Sequence, residues 1–140
     1  MNKKSARIAA LIEGCLGQAL DARYLGYFEC FNRGLYYEAH DVLEDLWLAT
    51  RHGSNGSFYK GLIQLAGVFV HLQKGRVRPA ASLLRLARGH LEKYPAIHER
   101  LAVNDTLALI ADWVERLETA GATRNPLSPE TAPRLALVEQ

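Results

Sequence analysis

No proline precedes Pro79, and over that whole stretch apolar residues recur at three- and four-residue steps. That spacing is the period of an amphipathic helix, and proline is the residue helix interiors exclude. A chain that begins this way is confined to helices joined by short turns. Of the five prolines, Pro79 and Pro95 stand apart, while Pro126, Pro129 and Pro133 crowd the C-terminal end. The pattern predicts an all-α fold, with one compact helical bundle in residues 1–120 and an extended, proline-containing tail in 121–140. No run alternates as a strand does, and the Asn55-Gly56 pair lies between helical stretches.

The helices follow from periodicity and punctuation. A first stretch covers 5–33, broken near Gly14–Gly17; the next runs over 36–51, and a loop of Gly53-Ser54-Asn55-Gly56 comes after it. Further helices are expected over 57–74, 77–93 and 105–120. Ser57 is the expected N-cap of the first of these, and Asn104 or Asp105 of the last. Pro79 falls in a first helical turn, where its missing N–H costs little. In the tail only Leu135-Ala136-Leu137-Val138 has any helical character, enough for a short helix at 133–139.

Compared with itself, the chain shows an echo. Gly34-Leu-Tyr-Tyr-Glu-Ala39 and Gly75-Arg-Val-Arg-Pro-Ala80 share a Gly-x4-Ala frame. The offset that carries Gly34 to Gly75 also carries Phe28 to Phe69, Phe31 to Leu72 and Leu43 to Leu84. Each unit reads as a helix, a tight turn at glycine, and a second helix opened by small residues, which resembles a tetratricopeptide-type hairpin. About three repeats are needed for a solenoid, so two hairpins should close with the flanking helices into a bundle, with the 57–74 helix central.

Composition removes whole classes. With 140 residues, 49% hydrophobic and 23% charged, the chain is neither disordered nor collagen-like. Cys15 and Cys30 form no C-x-x-C pair and no zinc framework, and free buried thiols suit a reducing cytoplasm. Glu13 cuts the apolar stretch Ile8–Ile12 short of a signal peptide or a membrane span. The net charge of +2 hides a pattern: residues 1–50 carry −2, 51–100 carry +7 and 101–140 carry −3. The block reads either as acidic and basic helices packed side by side or as an anion-binding surface for nucleic acid or phosphates, since clustered Lys and Arg raise local anion concentration; no nucleic-acid-binding signature accompanies it. A protein or small-molecule partner is expected, without membrane or nucleic acid, and a homo-oligomer is left open.

The 57–74 helix is the most informative. Over Gly61–Leu72 it is apolar almost all round, which marks a helix buried on every side. Gln64 and His71 interrupt it, seven residues apart and therefore on one stripe. The preceding helix offers partners: His40, Glu44 and Trp47 lie at i, i+4 and i+7, while Glu38, Asp41, Asp45 and Leu48 point elsewhere, mostly outward. Antiparallel packing would bring His40 and Glu44 towards His71 and Gln64, beneath Trp47. Three readings are open. The set is a structural hydrogen-bond network; or His40, Glu44 and His71 hold a divalent metal, zinc or iron; or the set is a small-ligand or metal-free catalytic pocket. Glu-x-x-His pairs, H-E-x-x-H, the P-loop, G-x-G-x-x-G and G-x-S-x-G are all absent, and no nucleophile stands out. No cofactor is identified. His52, His90 and His98 read as surface histidines, Tyr36 and Tyr37 as packing at the hairpin turn, and Arg78, Arg85 and Arg88 as a solvated or ion-paired face.

The run Phe31-x-x-Gly34-x-Tyr36-Tyr37-Glu38-Ala39-His40-Asp41-x-Leu43-Glu44-x-x-Trp47, followed by Gly61-Leu62-Ile63-Gln64-x-Ala66 and by His71 with Gly75, resembles the domain of unknown function 309 family of small bacterial and archaeal helical proteins. The resemblance covers about residues 22–93, with a weaker continuation to about 118. It implies an all-helical bundle and no particular activity. The family's motif residues map onto Glu38, His40, Glu44, Trp47, Gln64 and His71, the set that burial selects. Arg76, where the family pattern leads one to expect a small polar residue, and Pro79 depart from it; both bear on the hairpin turn rather than the fold. Two functions are compatible with these readings: a non-enzymatic binding or scaffold protein, or a metal-assisted or acid–base enzyme using His40, Glu44 and His71.

Overall fold

The computed structural model describes residues 2–120 and 124–139. Helix α1 (Lys3–Leu11) and a 3-10 turn (Glu13–Cys15) lead to α2 (Ala22–Asn32), α3 (Tyr36–Thr50), α4 (Gly56–Gln73) and α5 (Val77–Leu91). A two-stranded hairpin, β1 (Ile97–His98) and β2 (Leu101–Ala102), precedes α6 (Val103–Ala120). The break expected at Gly14–Gly17 is there, with Gly17 at φ +80°. The fold is all-α apart from this small sheet.

The echo in the sequence is an echo in geometry. Gly34 and Gly75 both take left-handed φ, 75° and 73°. The Leu35 N–H donates to Cys30 O and the Arg76 N–H to His71 O, each at 2.9 Å; Gly34 N donates to Phe31 O and Gly75 N to Leu72 O, each at 3.0 Å. Both turns are Schellman caps, which need a residue free of the Cβ penalty at the glycine position. Ala39 and Ala80, at the far end of the shared frame, are wholly buried. The match extends along the helices. A Cβ built on Gly26 would stand 3.4 Å from Val42, and one on Gly67 would stand 2.7 Å from Leu83. Gly26 maps to Gly67 and Val42 to Leu83 at the offset of the turns; at Gly67 glycine lets the second helix approach closely, whereas at Gly26 the close neighbour is Ile12 at 2.7 Å and Val42 is at ordinary contact distance.

Helix α4 is central, packed between α3 and α5. Its Phe58, Leu62, Leu65, Ala66, Val68, Phe69 and Leu72 are wholly buried. Phe69 meets the rings of Phe31, Tyr36 and Trp113 at 5.7, 5.2 and 5.0 Å, joining α2, α3 and α6 in one aromatic core. The Tyr27 hydroxyl donates to Leu62 O at 2.6 Å.

Four local expectations need correction. Ser57 does not cap α4: the Phe58 N–H donates to the Tyr94 hydroxyl at 2.9 Å, and that hydroxyl donates to Ser54 O at 2.8 Å. A residue far downstream thus does the capping. Neither Asn104 nor Asp105 opens α6, because β2 runs directly into it at Val103, whose N–H donates to Ala96 O at 2.8 Å. The strands were not legible because their turn lacks Asn-Gly: Glu99 and Arg100 take φ 48° and 60° themselves, positions where type I′ turns favour asparagine and glycine. Tyr24 holds that turn by donating to Glu99 O at 2.9 Å. The short helix at 133–139 does not form. Asn32 bonds both the N–H and the carbonyl of Leu135, each at 2.7 Å, Leu137 bridges to Leu101, and Val138 pairs with Arg100. These bonds hold the backbone extended, with Leu135 buried on the bundle.

Candidate functional site

Tyr37 and His40 lie one helical turn apart on α3, so their rings share a face; they stack at 6.5 Å and 19°. Facing them, α4 presents Lys60, Gln64 and His71. Between these groups lies a cavity of about 300 Å³ whose apolar wall is Ile63, Gly67 and Val70 of α4 and Leu83 of α5. The structure therefore brings His40, Gln64 and His71 together around one space.

The other singled-out residues stand at its margin or outside it. The Glu44 carboxylate lies 3.8 Å from His40 Nε2 and 3.2 Å from the Lys4 ammonium of α1. Trp47 does not line the cavity; its ring carries the Lys60 ammonium 4.4 Å from its centre and the Arg51 guanidinium at 5.8 Å. Glu38 is half-buried and lines no part of the cavity. Among the described residues no group of three or more His, Cys, Asp and Glu is disposed to hold a metal, and His40, Glu44 and His71 do not form such a set.

Two atoms of the site lack partners. Gln64 Oε1 and His71 Nδ1 are enclosed and meet no hydrogen-bonding group among the described residues. The expectation that α3 supplies their partners fails: His40 turns its Nδ1 to Asp41 Oδ1 at 3.2 Å instead. Burial, and then the nearby charges of Arg76 and Lys74, push the His71 imidazole below its ordinary pKa, so it is neutral at pH 7.

Sequence reasoning missed three contributors. Asp41 does not point outward. It is 4% exposed, pairs with Arg7 of α1, and is thereby fixed beside His40. The amphipathic N-terminal helix with a basic residue was the available signal, because it had to cover some face of α3. Tyr37 is not mere turn packing. It lines the cavity and lies under the Arg7 guanidinium at 5.7 Å, whereas Tyr36 is core. Lys60 was lost in the basic block. Two histidines read as surface groups are also more enclosed. His98 Nε2 meets Asn55 Oδ1 at 2.6 Å and packs edge-on to Phe58. His90 buries an unpartnered Nδ1 where Gly61 lets α5 close on α4. His52 is exposed, as read.

With this geometry in hand, comparison with known families gives one result. Residues 24–83 match the family model described as Domain of unknown function (DUF309). The resemblance read from the double motif is thus shown. The DUF309 segment runs from Tyr24 in α2 to Leu83 in α5, so it contains both glycine turns and the whole cavity lining. Helix α1, the strands, α6 and the tail lie outside it. No curated protein and no solved structure matches the chain. No helix among the described residues is long and apolar enough to cross a membrane.

Proposed function

We propose that this is a non-enzymatic binding protein whose ligand site is the cavity between α3, α4 and α5. One observation carries the reading: Gln64 Oε1 and His71 Nδ1 are enclosed and unpaired on a helix otherwise apolar from Gly61 to Leu72. Each such atom costs about 1–3 kcal/mol. A hydrogen-bond network kept for stability would be complete, and sites often carry such a cost for function. Glu44 and Trp47 act through their neighbours, Glu44 beside His40 and Trp47 beneath Lys60.

The test is thermodynamic. Gln64→Leu and His71→Leu should leave unfolding free energy unchanged or raise it by about 1 kcal/mol, since each removes a desolvated polar atom. A loss of about 2 kcal/mol or more in both variants means the groups are structural and ends the proposal.

A specific feature favours a second reading, an acid–base enzyme. The buried Asp41 carboxylate, anchored by Arg7, orients His40 through Nδ1, and the Glu44 carboxylate lies 3.8 Å from its Nε2, so the imidazole stands between two carboxylates with which it can exchange a proton. On the binding reading a ligand is recovered chemically unchanged. On the enzymatic one it is consumed at a rate that His40→Gln abolishes. The buried free thiols of Cys15 and Cys30 support placing either activity in a reducing, cytoplasmic setting.

A further inference from the structure

The cavity has a charge without a counter-charge. Lys60 takes part in none of the ion pairs among the described residues. The acidic groups nearest the site are already engaged: Asp41 by Arg7, and Glu44 by Lys4 and His40. The Lys60 ammonium rests on the Trp47 ring, whose face attracts a cation without neutralising it. The other polar groups of the lining are neutral or shared: the Tyr37 phenol, the Gln64 amide, the His40 imidazole turned towards carboxylates, and His71, kept uncharged by burial. The rest of the lining, Ile63 and Val70 of α4 and Leu83 of α5, is aliphatic. The site thus combines one positive charge without a counter-charge, neutral hydrogen-bonding groups and a hydrocarbon surface. A volume of about 300 Å³ is at the small end for ligand pockets.

We infer that the cavity takes a small organic carboxylate with an apolar body, its single negative charge held by Lys60 and its hydrocarbon part against Ile63, Val70 and Leu83. This rests on the binding reading above and adds the chemical class of the ligand. A phosphate or phosphonate dianion fits less well, because such groups are met by arginine clusters or helix N-termini. Here the site offers one lysine. Trp47 is a positioning residue in this scheme: it holds the Lys60 ammonium and does not line the cavity.

The experiment uses the full chain and three probes: phenylacetate, its neutral isostere phenylacetamide, and the dianion phenylphosphonate. Affinities are measured by titration calorimetry, with the Trp47 indole resonance as a second readout. Phenylacetate should bind about tenfold more tightly than phenylacetamide, the margin of one charge-assisted hydrogen bond. Lys60→Met should shrink that preference to about twofold or less, the loss of the one uncompensated charge. Equal binding of phenylacetate and phenylacetamide, tighter binding of phenylphosphonate, or an undiminished preference in Lys60→Met overturns the carboxylate assignment. So does the failure of all three probes to bind. None of these outcomes touches the wider binding reading, which stands or falls on the stabilities of Gln64→Leu and His71→Leu.

Discussion

Beside Gly26, in the first hairpin, a side-chain carbon of Ile12 lies 2.7 Å from where a Cβ would stand; beside Gly67, at the matching place in the second, Leu83 approaches and a cavity lies alongside. Neighbouring matched positions diverge in the same sense. Arg23, the counterpart of Gln64 in the first hairpin, is paired with both Asp21 and Asp45. Gln64 keeps an unpaired oxygen. Cys30 occupies the position of His71, and burial pushes its thiol up to about 11, so it is neutral. The two hairpins share turns, matching glycines and buried alanines. The hairpin geometry therefore accepts a close neighbour at the glycine, here Ile12, and a paired polar group, here Arg23. The unpaired polar groups of the second hairpin are a property of its sequence and not a cost imposed by the architecture.

The comparison can be broken first at the core. Phe69 meets three other rings and is wholly buried, while its counterpart Phe28 is 5% exposed and meets two, those of Tyr24 and Tyr27. Phe-to-Ala changes in cores cost about 3–5 kcal/mol. Phe69→Ala should fall at the top of that range and Phe28→Ala at the bottom, by denaturant unfolding. Equal losses would mean that α4 is no more central than α2.

We propose that residues 1–120 form a unit able to fold without the C-terminal tail. Deleting residues 124–140 removes Leu135 from the bundle and frees both bonds of Asn32. Burial of one leucine is worth about 1.5–3 kcal/mol. The shortened chain should lose about that much and still unfold in one cooperative transition. A broad, non-cooperative transition would place the tail inside the folding unit.

The turns allow a sharper test. A Cβ at Gly34 or at Gly75 would meet nothing within 4 Å, so the cost of alanine there is backbone strain alone. Gly34→Ala and Gly75→Ala should each lose about 1–2 kcal/mol, and by the same amount. A clear difference between them would show that the two caps are not equivalent, whatever their hydrogen bonds.

How much of this was legible depends on where each signal is written. The helices and the hairpin echo were readable because periodicity and the Gly-x4-Ala frame are local features, and Phe28, Phe31, Leu43 and their partners are all buried. The gathering of His40, Gln64 and His71 was readable because polar residues on an apolar helix must face something unusual. Caps supplied from a distance were not: Tyr94 serves α4 and Asn32 serves the tail, and neither lies near its target in the chain. The burial of Asp41 was hidden for the same reason, since it depends on where α1 docks. Glu99 and Arg100 were unreadable as a turn because their left-handed backbone is held by Tyr24 and Val138 and not by their own preference.

The smallest effect expected is in pH, and it falls on the second hairpin. Burial, then Arg76 and Lys74, lowers the His71 pKa; burial, then Lys93 and Lys60, lowers that of His90. Both histidines belong to the second hairpin. A free imidazole titrates near about 6.5. As pH falls through that value the unfolded chain takes up protons that the folded chain still refuses, so stability drops. The stability these groups allow is fully present above the unfolded value and declines as pH falls towards their folded values. Cys30, in the first hairpin at the place of His71, stays neutral throughout and contributes nothing in this range. The window between about pH 7.5 and 5.5 also lies above the ordinary carboxylate range, so the lowered carboxyl of Asp21, held by Arg23, does not enter it. Unfolding free energy should therefore decline across this window in the native chain. It should decline less in His71→Leu, and least in the double variant His71→Leu, His90→Leu. A slope unchanged in the double variant would remove the acid sensitivity from the second hairpin.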